Sequence, residues 1–131
     1  MEITPEYTYK LLGCAVEVHR TVGPGLLEDV YHKLLRKELE LNGFFVEEEV
    51  PVVINYKGLK VGYPLHIDLL VDHQVVLELK SCEELKPVFF KQLLTYMRLT
   101  HCHLGYLINF KVDQLKNGGI HRMVDNFNEV R

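Results

Sequence analysis

"FFVEEEVPVVINYKGLKVGYPLHIDLLVDHQVVLELKS", residues 44–81, decides the fold. It is dense in Val, Ile, Leu and aromatic residues, which suit a pleated, half-buried surface, and it is broken by the turn-forming "YKG" and "VDHQ". The texture predicts three strands in a meander, at about 44–56, 59–71 and 74–80. The last takes up Glu78 and Lys80 within an apolar run, "VVLELKS" at 75–81. Burying a carboxylate and an ammonium is expensive unless each has a partner or a task. That expense makes the pair the first candidate site.

Side chains alternate along a strand, so Val76, Glu78 and Lys80 are expected on one face and Val75, Leu77 and Leu79 on the other. On the preceding strand His66, Asp68 and Leu70 are expected to share a face, opposite Ile67, Leu69 and Val71. The hairpin loop decides whether Asp68 meets Glu78. A loop of Asp72-His73-Gln74 pairs Val71 with Val75 and sets Asp68 opposite Glu78; an Asp72-His73 turn puts them on opposite faces unless a bulge intervenes. Two adjacent carboxylates repel, and one takes up a proton unless a cation sits between them. Such a pair suits a hard divalent ion like Mg²⁺, which takes one or two carboxylates and completes its shell with water and substrate phosphate. Lys80 beside the ion could hold or deprotonate an attacking water and offset phosphate charge, which points to phosphodiester hydrolysis.

Helical patterns flank the strands. Thr4-Pro5-Glu6 reads as an N-cap, a first-position proline and a dipole-favourable acid, and Leu11, Ala15, Val18 and Val22 recur at helical spacing, predicting a helix over 5–21. "GPG" at 23–25 ends it. A second helix is predicted over 26–42, on a stripe of Leu27, Val30, Tyr31, Leu34 and Leu41, with Asn42-Gly43 as its stop. After Pro87, Phe90, Leu93, Leu94 and Met97 predict a helix over 88–100. "HLGYLINF" (103–110) is a further strand, "KNGG" (116–119) a turn and "IHRMV" (120–124) a short last strand. A crossover of that length favours a parallel 103–110 strand. The expected fold is α/β in one domain, 1–131: a central mixed sheet with two N-terminal helices packed on it and one crossover helix.

Composition bounds the function. The chain is 47% hydrophobic and 25% charged, which argues against disorder. Its formal charge of −3 argues against coating nucleic acid by charge alone, but leaves room for a local site. Cys14, Cys82 and Cys102 have neither disulfide-framework nor zinc-type spacing, and no leader or spanning run is evident, so a cytoplasmic protein with no membrane partner is expected. His19, His32, His73 and His121 carry no recognisable spacing and are expected at the surface or boundary, and "HCH" at 101–103 is expected to be a solvated helix end.

Asp68 followed by Glu78-Leu79-Lys80 resembles the D…(D/E)xK signature of the PD-(D/E)XK nuclease superfamily. Gly25-Leu26-Leu27-Glu28-Asp29-Val30-Tyr31 resembles the GxxExxY motif of a small family placed in it, and Gln92-Leu93-Leu94-Thr95-Tyr96 resembles the QxxxY helix of RecB-type members. The likeness runs from about residue 9 to 124 and implies a restriction-endonuclease-like core. It further implies that Asp68 and Glu78 ligate Mg²⁺ or Mn²⁺, with the Leu79 carbonyl as a third ligand. Lys80 would be the catalytic lysine, Glu28 an accessory acid, and Gln92 with Tyr96 a pair orienting substrate or the lysine. No Pro-Asp dipeptide is present, since Ile67 precedes Asp68 and the nearest proline is Pro64; His66 stands where many relatives have an arginine that contacts phosphate. Lys86, Lys91, Arg98, Lys111, Lys116, His121 and Arg122 could receive the backbone of a nucleic acid, DNA by family likeness, and a homodimer would extend that surface. The rival readings are a non-cleaving module of the same fold that binds nucleic acid or protein, and a metal-free partner working through helix 26–42.

Overall fold

The computed structural model describes residues 2–62 and 65–126; Pro64 lies outside them. Helix α1 is Pro5–Val22, with the Thr4 hydroxyl accepting the Tyr7 N–H at 3.1 Å and Pro5 in its first turn. Helix α2 is Glu28–Leu41, starting later than the predicted residue 26. The delay has a physical cause: the Tyr31 hydroxyl donates to Gly23 O at 2.6 Å and accepts the Leu26 N–H at 3.2 Å, holding that segment out of the helix. The apolar stripe also needs correcting. Leu27, Val30 and Leu41 are exposed, and the buried face is Tyr31, His32, Leu35 and Leu39. A histidine counted as polar hid the true face.

The strands are β1 (Val46–Pro51), β2 (Ile54–Tyr56), β3 (Leu59–Val61), β4 (His66–Val71) and β5 (Val75–Lys80). Then come α3 (Pro87–Leu99), β6 (Leu104–Asn109) and β7 (Ile120–Val124). Five of the strands form one mixed sheet in the order β1-β4-β5-β6-β7, giving an α/β restriction-endonuclease-like fold. The 44–56 and 59–71 strands are each split, because Pro51 has no ladder N–H to give and the chain beyond it pairs in a different register. Their distal halves form the separate β2–β3 ribbon. Strand β6 runs parallel to β5 across the α3 crossover. Among the described residues no helix is long and apolar enough to cross a membrane.

Helices α1 and α2 cover one face of the sheet, burying Leu11, Val18, Tyr31 and Leu35 with Leu69, Val71, Leu77 and Tyr106. Helix α3 covers the other, with Leu93, Tyr96 and Met97 against Leu70, Val76 and Leu107. Gly105 of β6 permits that approach: a Cβ there would stand 2.8 Å from Met97 Sδ and 2.9 Å from Leu93 Cδ1. Gly105→Val is therefore expected to cost about 1–3 kcal/mol by overpacking, seen as a lower midpoint in urea with an unchanged slope.

The regular alternation expected for β4 fails at Asp68. Leu69 and Val71 join the core beneath α1 and α2, whereas Ile67 joins the core beneath α3 with Leu70. The cause lies next door on β1, where Glu49 takes the left-handed φ of 54° and interrupts the pairing between Glu48↔Leu69 and Val50↔Ile67. Asp68 thus sits where the strand changes faces. It is reachable from both helical layers.

Candidate active site

The hairpin loop joining β4 and β5 is Asp72-His73-Gln74, with Val71 paired to Val75. Continuing that register sets Asp68 across from Glu78, but the ladder pairs end at Leu69↔Leu77. Side chains replace them. The Asp68 N–H donates to Glu78 Oε2 at 2.9 Å, and the Leu79 N–H donates to Asp68 Oδ2 at 2.8 Å. Each carboxylate therefore satisfies an amide of the opposite strand, which fixes both acids in the fork between β4 and β5.

Glu78 is 6% exposed. Burial, reinforced by the charge of Asp68, pushes its carboxyl up to about 8, against the opposing pull of the Asp68 amide, Lys80 and His32. Two acids this close cannot both ionise cheaply without a cation. Lys80 is half-buried, with Nζ 4.1 Å from the centre of the Phe89 ring, so it is shielded on the α3 side of the strand end.

Helix α2 contributes from the other layer. Glu28 Oε1 accepts the Ser81 N–H at 3.3 Å, and Ser81 Oγ donates to Leu26 O at 2.7 Å, so the start of α2 is tied to the residue after Lys80. Tyr31 is fully buried and stacks on Phe110 at 4.2 Å, which assigns it to the support of this loop. One turn beyond Glu28, His32 is also buried, correcting its expected surface position. Its Nε2 lies 3.4 Å from Asp68 Oδ2 and its Nδ1 3.3 Å from Glu49 Oε1, yet neither ring nitrogen has an aligned hydrogen bond. Asp68 is the main cause that lifts its pKa to about 9, with Glu49 adding and burial opposing.

His32, Glu48 and Glu49 each place a ligand atom within 4.8 Å of the others, forming a cluster that could hold a metal ion. Glu48, however, is already held by Lys33 at 3.1 Å and Arg36 at 3.3 Å. Carboxylates that range from the buried Glu78 to the exposed Glu49, with an imidazole lacking aligned partners, form a donor set that fits a divalent ion. His32 and Glu49 were invisible as site members in the linear pattern. The available signal was the i, i+4 relation of Glu28 and His32, which puts both on one face of α2.

Helix α3 supplies Tyr96. Burial, with Glu78 and Asp68 nearby, raises its pKa, while the nearby Gln92 side chain and the backbone at His66 favour its ionisation. Tyr96 thus lies near the carboxylates, with Gln92 exposed one turn before it on α3. His66 is exposed, its Nε2 2.7 Å from Glu49 Oε2, and Lys91 is exposed beside Gln92 on α3. Arg98 is not brought to the site. Its Nε donates to Asp125 Oδ2 at 2.7 Å, and Asp125 follows the Val124↔Leu104 pair, beside the Val75 end of β5. From Val75 to Lys80 is roughly 16 Å along an extended strand. Asn109, which the sequence did not single out, is buried and pins the far end of β5: it accepts the Cys82 N–H at 3.2 Å and donates to Cys82 O at 2.9 Å.

A family model described as the PD-(D/E)XK nuclease superfamily matches residues 5–123. Among solved structures, one titled "Crystal structure of SSO0001" resembles the chain with a TM-score of 0.58 at 22% identity, over 95% of this chain and 63% of that one. This chain therefore spans less than two thirds of that structure's length, and the likeness speaks for the fold. No curated protein matches the sequence.

Proposed function

Because the chain belongs to the PD-(D/E)XK nuclease superfamily, we propose that residues 1–131 are a single domain that hydrolyses nucleic-acid phosphodiesters, DNA by family likeness. Asp68, Glu78 and the Leu79 carbonyl would hold Mg²⁺ or Mn²⁺, and the GxxExxY likeness of residues 25–31 supports placing the chain in that subfamily. The observation that carries this reading is the mutual capping of Asp68 and Glu78, which sets two acids in one fork between strands. Such an ion supplies Lewis acidity toward a phosphoryl oxygen and a more acidic bound water.

The chain's own groups have distinct tasks. The Lys80 ammonium orients the attacking water and offsets phosphate charge. Glu28 steadies the Lys80 end of β5 through the Ser81 N–H. Gln92 and Tyr96 position substrate, and His66 and Lys91 stand on exposed ground to meet phosphate oxygens. Arg98, tied to Asp125, would have to release that carboxylate before joining them. A reducing compartment accords with the free thiols of Cys14, Cys82 and Cys102.

One observation favours the rival, a non-cleaving module of the same fold. His32 carries a raised pKa and lies between Asp68 and Glu49, so its imidazolium can neutralise the acids without a metal. Calorimetric titration with Mn²⁺ separates the two. The nuclease reading expects binding that Asp68→Ala abolishes, together with cleavage of labelled DNA; heat and cleavage both absent would favour the rival.

A further inference from the structure

The β2–β3 ribbon stands apart from the five-stranded sheet and has an unusual surface. Its turn is Lys57-Gly58, with φ of 49° and 90°, the paired left-handed conformation of a tight two-residue hairpin. The register pairs Ile54 with Val61 and Tyr56 with Leu59, so these four side chains share one face, while Asn55 and Lys60 share the other. Tyr56 and Leu59 are 61% and 60% exposed. An apolar face with an aromatic ring at its tip is costly to leave in water.

Charge indicates what covers it. From Val50 to Ile67 the sequence contains no acidic residue, although the whole chain carries 18 acids against 15 bases. Lys57 and Lys60 both lie on the ribbon, and Lys57 Nζ is 5.2 Å from the centre of the Tyr56 ring. A second copy is a poor occupant, because ribbons with three-residue strands have little face to offer each other. They also offer far less than the roughly 1,200 Å² of a stable interface. Position supports a polyanion instead. The ribbon continues directly from the β1 and β4 ends that carry Glu49, His66 and Asp68, with the Val52 N–H donating to Leu65 O at 3.0 Å at its root.

We propose that the β2–β3 ribbon is a strand-gripping arm for single-stranded nucleic acid, in which Tyr56 stacks on an unpaired base while Lys57 beside the ring, and Lys60 on the opposite face, contact phosphates of a strand passing around the ribbon. Base stacking on an exposed aromatic needs no particular sequence, and the flanking ammonium groups supply the salt-dependent attraction. This inference rests on the nuclease reading for its substrate class. It adds an element outside the fork and none of the groups assigned to chemistry.

The test uses the full chain carrying Lys80→Ala, so that a fluorescein-labelled single-stranded oligonucleotide stays intact in Mn²⁺, with binding followed by anisotropy. Adding Lys57→Glu and Lys60→Glu is expected to weaken binding at least ~10-fold and to flatten the slope of log affinity against log salt by roughly 1.4. Tyr56→Ala is expected to weaken it roughly 10-fold, and both changes should leave the thermal midpoint unaltered because the ribbon lies outside the core. If the parent cleaves and the Lys80→Ala chain binds, but the ribbon variants bind equally well, the arm is refuted and the nuclease reading stands. Weakened binding in the ribbon variants without any cleavage by the parent would uphold the arm and remove the nuclease reading. Failure of all forms to bind the single strand overturns the arm, and the nuclease reading then stands or falls on cleavage of labelled DNA by the parent. A monomer–dimer shift by sedimentation in Tyr56→Ala, with binding unchanged, assigns the face to a second copy and refutes the proposal.

Discussion

Lys80→Ala is expected to lower metal-dependent cleavage of DNA by about 10²–10⁴-fold while leaving Mn²⁺ affinity within about threefold. The range is that of a positioned group handling a proton or orienting water in the rate-limiting step. Separation of the two readouts follows from placement. Lys80 lies beyond the Asp68–Glu78 fork at the end of β5, and its ammonium rests against the Phe89 ring, so its removal leaves the amide bonds that fix both acids. Loss of metal binding along with cleavage would show that Lys80 acts through folding of the strand end. Unchanged cleavage would remove the proposed mechanism.

Glu78→Gln is expected to abolish metal binding and to stabilise the metal-free protein at alkaline pH. Affinity for Mn²⁺ should fall more than about 100-fold, since even outer-shell changes around a metal cost 10–100-fold. The stability effect follows from the sign of the shift. With its pKa raised to about 8, the folded Glu78 retains a proton that the unfolded chain has lost above about 4.5, so in EDTA the native state is progressively penalised as pH rises through that window. A glutamine oxygen can still accept the Asp68 N–H and never ionises. The gain over the parent should be small at pH 5 and on the order of 2–4 kcal/mol at pH 9, or roughly 5–10 °C in thermal midpoint. His32 works on the same side of the balance: its raised pKa confers stability below about 6.5 that is lost as pH rises through about 9. The variant should therefore keep a residual alkaline decline. A gain independent of pH between 5 and 9 would mean that Glu78 does not carry the buried charge.

Much of this was legible in the sequence because local pattern and tertiary demand agree there. Three helices and the parallel β5–β6 pairing follow from helical periodicity and crossover length, whereas turn chemistry leaves the β4–β5 loop open between two and three residues and only the pairing of Val71 with Val75 sets it at three. What failed depended on backbone conformation or on partners distant in the chain. The left-handed Glu49 turns β4 over at Asp68, and nothing in the alternation of apolar residues announces it. His32 looked like a solvated residue because the stripe was placed on Leu27, Val30 and Leu41; only packing against the sheet reveals that the face carrying Glu28 and His32 is the inner one. Arg98 belonged to the basic residues along α3, but its helix turn points it to Asp125 past β7, a residue remote in sequence.

Phosphodiester hydrolysis by this chain requires one divalent ion in the fork between β4 and β5. Anomalous diffraction from crystals soaked in Mn²⁺ at about pH 8.5 tests this most directly, since alkaline pH removes the proton that competes for Glu78. The expected result is a single strong peak within coordination distance of a carboxylate oxygen from each of Asp68 and Glu78. A peak confined to His32, Glu48 and Glu49, or no peak with His32 still lodged against Asp68, would contradict it.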